Sequence, residues 1–273
     1  MKILAVLVNP GGLADWAAKY HPKITGLLKT ATRRPPLVVL AGDVGSGKTE
    51  LAETIGDAVA RQEGIEITLF PLSLSARGQG RVGEMTQLIS AAFDHAVSEA
   101  TKFKSQTGKS RGGVILLVDE ADALAQSREN AQMHHEDRAG VNAFIRGVDR
   151  IGNGGLPAAV VMCTNRLGAL DPAVKRRAAD ILHFQRPNDV QRRALLTAPL
   201  SELGFSAIQI EQLVTATGPR PEIPHGFTFS DLTQRLLPSI VLDAYPAKPI
   251  TFERALAVAK AIDPTPPFQE KTV

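Results

Sequence analysis

The stretch Gly42-Asp43-Val44-Gly45-Ser46-Gly47-Lys48-Thr49 follows the spacing G-x-x-x-x-G-K-T of a phosphate-binding loop, or P-loop. The apolar residues 37–41 before it are typical of a buried parallel strand. After it, apolar residues recur at helical spacing from Leu51 to Val59, which predicts a helix. A strand, a glycine-rich turn and a helix form the context in which this motif binds a nucleoside triphosphate. The pattern therefore predicts an α/β nucleotide-binding fold.

The P-loop residue types match the chemistry of a bound triphosphate. The inner glycines let successive backbone N–H groups point to one position, and the start of the next helix adds the positive end of its dipole. Lys48 is expected to reach the β- and γ-phosphates, and the Thr49 hydroxyl to bind Mg²⁺. The sequence thus predicts ATP and Mg²⁺; the alternative is a glycine-rich turn with an exposed lysine. The residues expected to contact the nucleotide are Asp43, Val44, Gly45, Ser46, Gly47, Lys48, Thr49 and Glu50.

Two further strand ends carry polar residues that would complete a hydrolysis site. The apolar run 114–118 ends in Asp119-Glu120. Asp119 is expected to hold Mg²⁺, and Glu120 to orient and deprotonate the attacking water. Residues 158–163 predict another buried strand, after which Asn165 is expected to face the γ-phosphate. The alternatives are an ordinary strand end with two exposed acids, and an asparagine that only forms a turn.

Composition limits the class of protein. The chain has 273 residues, 44% of them hydrophobic, and a net charge of +3, which does not by itself indicate nucleic-acid binding. The single cysteine, Cys163, excludes an internal disulfide and suits a reducing cytosol, so a cytoplasmic protein is expected. Residues 1–8 are apolar but lack a signal-peptide cleavage site and are too short to cross a membrane, so a packing segment or short strand is expected.

The order of patterns predicts four regions. Residues 1–30 are a lead-in with one helix between Ala14 and Leu28, and residues 31–187 form the α/β domain. Residues 188–262 carry only helical periodicity and predict a small all-helical domain, followed by a loose tail at 263–273. Within the α/β domain, loops are expected at 102–113 and 126–137, and a turn at 152–155.

Together these motifs resemble the AAA+ ATPases from about residue 30 to residue 262. The resemblance implies a five-stranded parallel sheet flanked by helices, a helical lid domain and a ring of identical subunits, usually a hexamer. It places Arg177, with Arg176 as second candidate, as the arginine that reaches the neighbouring subunit's γ-phosphate; the alternative is that both only solvate a loop. It also aligns Arg81, Val82 and Gly83 with the family's substrate-gripping pore loop, with Arg81 in place of the usual aromatic residue.

Within that family, residues 226–238 and 177–181 are similar to the ATPases that remodel HORMA-domain proteins. This resemblance implies a protein partner that the ring engages by a peptide in its pore, with compact bacterial relatives acting in antiphage defence. Leu232 stands where those relatives carry the lid's nucleotide-sensing arginine, so Arg235 is the nearest candidate for nucleotide binding. The alternatives are a DNA-associated AAA+ ATPase of the helicase-loader or transposition-regulator type, supported by the basic stretch 102–111, and a non-motor ATP-dependent scaffold.

Overall fold

The computed structural model describes residues 1–73, 84–105, 109–124 and 135–268. Five strands form one sheet in the order β2-β3-β4-β1-β5. All the strands run parallel, as the sequence predicts for this fold. The strands are β1 (Leu37–Gly42), β2 (Glu66–Ser73), β3 (Gly112–Asp119), β4 (Ala158–Thr164) and β5 (Ala178–Phe184).

Helices account for most of the remaining described chain. Those that precede β5 are α1 (Lys2–Val8), α2 (Pro10–Tyr20), α3 (Gly26–Thr32), α4 (Lys48–Glu63), α5 (Glu84–Phe103), α6 (His135–Gly154), α7 (Pro172–Lys175) and a 3₁₀ turn, Ala121–Leu124. Those that follow β5 are α8 (Asp189–Glu202), α9 (Ala207–Ala216), a π-helical turn (Asp231–Leu236), α10 (Leu237–Ala244) and α11 (Phe252–Ala261). Within the described ranges, no helix combines the length and apolar character needed to cross a membrane.

The register of the central strands brings the functional strand ends to one edge of the sheet. β3 and β4 are almost wholly buried, because a sheet covered by helices on both faces excludes water from every position. Val118 of β3 pairs with Met162 of β4, and Thr164 of β4 pairs with Ala41 of β1. The residues that directly follow these strands therefore lie near one another.

Contacts divide the chain into two compact units, residues 1–41 with 48–183 and residues 42–47 with 184–273. The first unit contains the sheet and buries an edge-to-face pair of rings, Phe93 and Phe144, with centroids 5.6 Å apart. The second has its own apolar core, in which Leu196, Leu213 and Leu236 are fully buried. The domain boundaries proposed from the sequence remain predictions.

One local expectation is confirmed and others are wrong. Residues 1–8 are a packing segment, as one of the two alternatives expected; they contain helix α1 and not a short strand, because Leu4, Leu7 and Val8 share one buried helical face. The single helix expected between Ala14 and Leu28 is two, α2 and α3, with Pro22 between them. Helix α6 continues through most of the turn expected at 152–155.

Expected loops and the tail also differ from the structure. Helix α5 continues to Phe103 and β3 begins at Gly112, inside the loop expected at 102–113. Helix α6 begins at His135, inside the loop expected at 126–137. The first residues of the expected loose tail are held, because the Thr265 N–H donates to Asp231 (3.0 Å).

Candidate active site

The P-loop turn has the backbone conformation that its glycines allow. Gly45 and Gly47 have φ angles of 68° and 90°, in the left-handed region that side chains disfavour. Helix α4 then begins at Lys48, which is 7% exposed, so its cation lies in a largely enclosed position at the helix start. Strand, turn and helix thus occur as the sequence predicts. Val44 and Glu50, two predicted nucleotide contacts, are exposed.

The two residues expected to bind Mg²⁺ are adjacent. The Thr49 hydroxyl on α4 lies 3.2 Å from Asp119 Oδ2 and 3.4 Å from Oδ1, at the end of β3. A hydroxyl beside a carboxylate offers the hard oxygen ligands that Mg²⁺ prefers. Among the described residues, no set of three or more His, Cys, Asp or Glu side chains is arranged to hold a metal ion. The pair therefore suits an ion that is also held by phosphate oxygens and water.

Glu120 adopts an unusual backbone conformation. Its φ angle is 52°, the only positive value among the described residues other than glycine. Such a conformation costs on the order of 1–3 kcal/mol and occurs preferentially at functional sites. The Glu120 N–H donates to Asp119 Oδ1 (2.8 Å), which secures the turn, and the Glu120 side chain is exposed. The role of its carboxylate as the base for the attacking water remains a prediction.

Asn165 is held by a residue that the sequence interpretation missed. The Asp122 carboxylate, on the 3₁₀ turn after β3, accepts hydrogen bonds from Thr164 Oγ1 (2.6 Å), Asn165 N (3.0 Å) and Asn165 Nδ2 (3.1 Å). Thr164 is 1% exposed, so its hydroxyl depends on partners within the protein. The available signal was the spacing Asp119-Glu120-Ala121-Asp122, which places a third acid at the same strand end.

Arg177 forms a two-pronged ion pair. Its Nε and Nη2 donate to the two carboxylate oxygens of Asp149 on α6 (2.6 and 2.8 Å), and Nη1 donates to the Ala173 carbonyl (3.0 Å). Hydrogen bonding to Asp149 raises the pKa of the guanidinium. Arg176 is exposed. The action of either arginine on a neighbouring subunit remains a prediction.

In the second unit, the P-loop turn is bound to chain segments far away in sequence. Asp43 accepts from Arg186 Nε and Nη2 (2.8 and 2.7 Å) and from the Phe268 N–H (3.0 Å). Burial alone would raise the pKa of the Asp43 carboxyl, but these hydrogen bonds and the charge of Arg186 lower it. The Ser230 N–H donates to the Gly45 carbonyl (3.1 Å). Asp43 therefore anchors the turn; the sequence interpretation missed Arg186.

The candidate lid arginine, Arg235, is engaged by its own helix. Its Nη1 donates to Asp231 Oδ1 (2.7 Å), and Thr265 Oγ1 donates to the same oxygen (2.7 Å). Burial would raise the pKa of the Asp231 carboxyl, but hydrogen bonds from Thr228, Thr265 and Arg235 lower it to about 2. A nucleotide contact for Arg235 remains a prediction. The predicted pore residues Arg81, Val82 and Gly83 lie outside the described residues.

Comparison with known proteins gives the family. Residues 38–186 match the model of the ATPase family associated with various cellular activities (AAA). This chain belongs to the AAA family. The family match supports ATPase activity, and the matched range includes the P-loop, Asp119, Glu120, Asn165 and Arg177, whose individual roles remain predictions.

Several known proteins are similar to this AAA protein over almost its whole length. It is 67% identical to the CD-NTase-associated protein 6 of Escherichia coli strain MS 115-1, over 99% of this chain and 87% of the relative. It matches a chain in the structure of the E. coli MS115-1 HORMA:CdnC:Trip13 complex with a TM-score of 0.88 and 66% identity, covering 98% of this chain and 87% of that one. A second match is Rhizobiales Trip13, with a TM-score of 0.74 and 61% identity over 97% of this chain and 88% of that one.

The cysteine of this AAA protein is a buried, free thiol. Cys163 lies on β4 and is 2% exposed. Burial, reinforced by the charge of Asp119, raises the pKa of its thiol to about 12. A thiol that stays protonated at neutral pH is a poor nucleophile and a poor metal ligand.

Proposed function

We propose that this AAA ATPase forms a cytoplasmic homohexameric ring that uses ATP hydrolysis to remodel a HORMA-domain protein in bacterial antiphage defence. The ring engages a peptide of that partner in its central pore and unfolds part of it. The observation that carries the proposal is the 67% identity, over 99% of the chain, to a CD-NTase-associated protein. The 66% identical chain in a complex with HORMA and CdnC supports a partner of the same kind.

The described side chains can perform the hydrolysis. The N–H groups of the P-loop turn and Lys48 bind the phosphates of the substrate ATP, and Asn165, fixed by Asp122, contacts the γ-phosphoryl group. Thr49 and Asp119 would hold Mg²⁺, which, when bound, would neutralise negative charge on the phosphates. Glu120 orients the attacking water and accepts its proton.

An arginine from the adjacent subunit completes the site. Guanidinium groups stabilise the charge that develops on a transferring phosphoryl group. Arg177 has this role in the proposal, with the Asp149 carboxylate setting the orientation of its guanidinium. Turnover then depends on ring formation, and a dilute single subunit hydrolyses ATP slowly.

A Glu120→Gln variant tests this proposal. It keeps the size of the side chain but replaces the carboxylate base with a neutral amide, so ATP turnover should fall by roughly 10²- to 10⁴-fold while ATP still binds. With ATP, the variant should form a stable ring that retains a purified HORMA protein; the matched control is Glu222→Gln, which changes an exposed acid of the second unit. Near-normal turnover by Glu120→Gln would refute the assigned chemistry.

The same preparation distinguishes the rival functions. Salt-dependent stimulation of turnover by single-stranded or duplex DNA, without any effect of the HORMA protein, would indicate a DNA-associated ATPase. Negligible turnover in the wild type, with retention of the partner, would indicate a scaffold.

A further inference from the structure

The first 36 residues, which contain helices α1 to α3, carry a net positive charge larger than that of the whole chain. Residues 1–36 hold six of the 31 Lys and Arg residues but only one of the 28 Asp and Glu residues, so this segment carries +5 against +3 for the whole chain. All six cationic side chains are exposed, and none of them forms an ion pair within the described part of the chain. They are Lys2, Lys19, Lys23, Lys29, Arg33 and Arg34.

An exposed aromatic cluster lies among these charges. Trp16, the only tryptophan, is 48% exposed, and Tyr20, one helical turn further along α2, is 59% exposed. Their ring centroids lie 6.4 Å apart, and the His21 ring lies 5.1 Å from Trp16. Lys19 Nζ lies 5.0 Å from the centre of the Tyr20 ring. Tryptophan and tyrosine dominate the energetically important positions of protein interfaces, so their joint exposure marks a binding surface.

The helix that carries this cluster is firmly held by the rest of its unit. Asn9 is 2% exposed, and its Oδ1 accepts from Gly12 N at the start of α2 (3.2 Å) and from Ser110 N (2.9 Å). Its Nδ2 donates to Glu63 at the end of α4 (2.9 Å). Ala17, on the same helix, is 2% exposed, so one side of α2 is packed against the protein. A surface that is ordered before binding loses little entropy on association.

The geometry favours an acidic protein surface over a nucleic acid. Single-stranded nucleic acids require separate aromatic faces on which successive bases stack. Here the rings of Tyr20 and His21 pack against Trp16 at interplanar angles of 43° and 58°, and so form one contiguous projection. An aromatic centre flanked by lysines is typical of a protein–protein interface, in which an apolar centre is surrounded by a charged rim.

We propose that Trp16, Lys19, Tyr20, His21 and Lys23, the basic aromatic surface, dock an acidic patch of the protein that this ATPase remodels. This inference rests on the proposed function and adds a second contact outside the pore. The aromatic rings supply the affinity, and the lysines accelerate encounter with the negatively charged partner. The docked partner is held near the ring while a peptide segment is captured.

Binding of the purified E. coli MS115-1 HORMA protein to the ATP-loaded Glu120→Gln ring tests the proposal. Trp16→Ala and the double variant Lys19→Glu/Lys23→Glu should each weaken binding by roughly 10- to 100-fold. Added salt should weaken binding to the wild-type surface more than binding to the charge-reversed variant. The matched controls are Tyr245→Ala and Lys248→Glu, which alter a tyrosine that is 75% exposed and an exposed lysine on the second unit. They should bind as the parent does.

The outcomes separate the two hypotheses. Unchanged binding by the surface variants, with binding by the parent ring intact, overturns the docking assignment and leaves the proposed function standing. No binding by the parent ring overturns both. The docking assignment is also refuted if the surface variants lose ring assembly, which would show that a second copy covers the surface, or if they lose affinity for a single-stranded oligonucleotide and not for the HORMA protein.

Discussion

Replacement of Asp122 by alanine should disturb the position of the Asn165 side chain and leave the binding of ATP almost unchanged. The Asp122 carboxylate accepts one hydrogen bond from Thr164 and two from Asn165. A hydrogen bond to a charged group contributes about 1.5–3 kcal/mol. In the variant, the freed Asn165 side chain should lose its proposed hydrogen bond to the γ-phosphoryl group in the transition state. The kcat should then fall by roughly 10- to 150-fold, because 1.36 kcal/mol corresponds to a factor of ten.

The assay is steady-state ATPase activity, measured together with unfolding by urea. KM for ATP should change little, because in the proposed function the P-loop binds the ground state. The Thr164 hydroxyl, 1% exposed, loses its acceptor in the variant, so the free energy of unfolding should also fall by about 1–3 kcal/mol. The control is Thr164→Val, which removes the hydrogen bond that the hydroxyl donates to Asp122 and the one that it accepts from Arg166 N (3.0 Å), but keeps both bonds from Asn165 to Asp122. It should lower stability with kcat within about threefold of wild type.

A folded Asp122→Ala variant with wild-type kcat would refute the reasoning. So would a Thr164→Val variant that loses as much kcat as Asp122→Ala, since the activity would then follow the packing of the strand end and not the position of Asn165. A rise in KM at unchanged kcat would place Asp122 in ATP binding. An ATP titration of the ATPase rate and a urea titration of unfolding, made on each variant, distinguish these results.

Three further predictions concern residues outside this contact. Because the pKa of Asp231 falls from 3.8 to about 2 on folding, its stabilisation is complete above about pH 4 and is lost as the pH decreases towards 2. Asp231→Asn should thus unfold more easily at pH 7, by on the order of 1–2 kcal/mol in urea, and the difference should shrink in acid. Cys163, with a thiol pKa of about 12, should resist iodoacetamide at pH 8 until the protein unfolds; rapid native labelling would contradict this. Arg177→Ala should reduce ATPase activity more than Asp149→Ala in rings of equal stability; equal losses would indicate that the ion pair is only structural.

The residues that belong to a recognisable motif could be predicted from the sequence, because the local backbone geometry determines where they lie. Gly45 and Gly47 are required by left-handed φ angles, and a parallel sheet must bring the ends of β1, β3 and β4 to one edge. Thr49 and Asp119, 70 residues apart, meet there for that reason. The family resemblance supplied the order of the motifs and the helical lid.

The missed contacts depend on partners that no local pattern identifies. Asp122 lies 42 residues from Thr164, and Asp43 lies 143 residues from Arg186 and 225 from Phe268. A charged residue in a sequence is usually solvated, so a sequence interpretation has no reason to pair these groups. The tail was expected to be loose because proline-rich ends bury little apolar surface. It is held instead by hydrogen bonds to two carboxylates, Asp43 and Asp231.

These carboxylates share a physical role that explains their placement. Asp119, Asp122, Asp43 and Asp231 each accept hydrogen bonds from groups at the start or end of a strand, turn or helix. A carboxylate accepts several hydrogen bonds at once and retains its charge when the donors outweigh desolvation, as the lowered pKa values of Asp43 and Asp231 show. These carboxylates therefore hold turns and strand ends, whose backbone groups lack regular hydrogen bonds, in place of apolar packing. In the proposed function, two of those segments, the P-loop turn held by Asp43 and the strand end held by Asp122, contact phosphate, and apolar packing there would exclude the nucleotide.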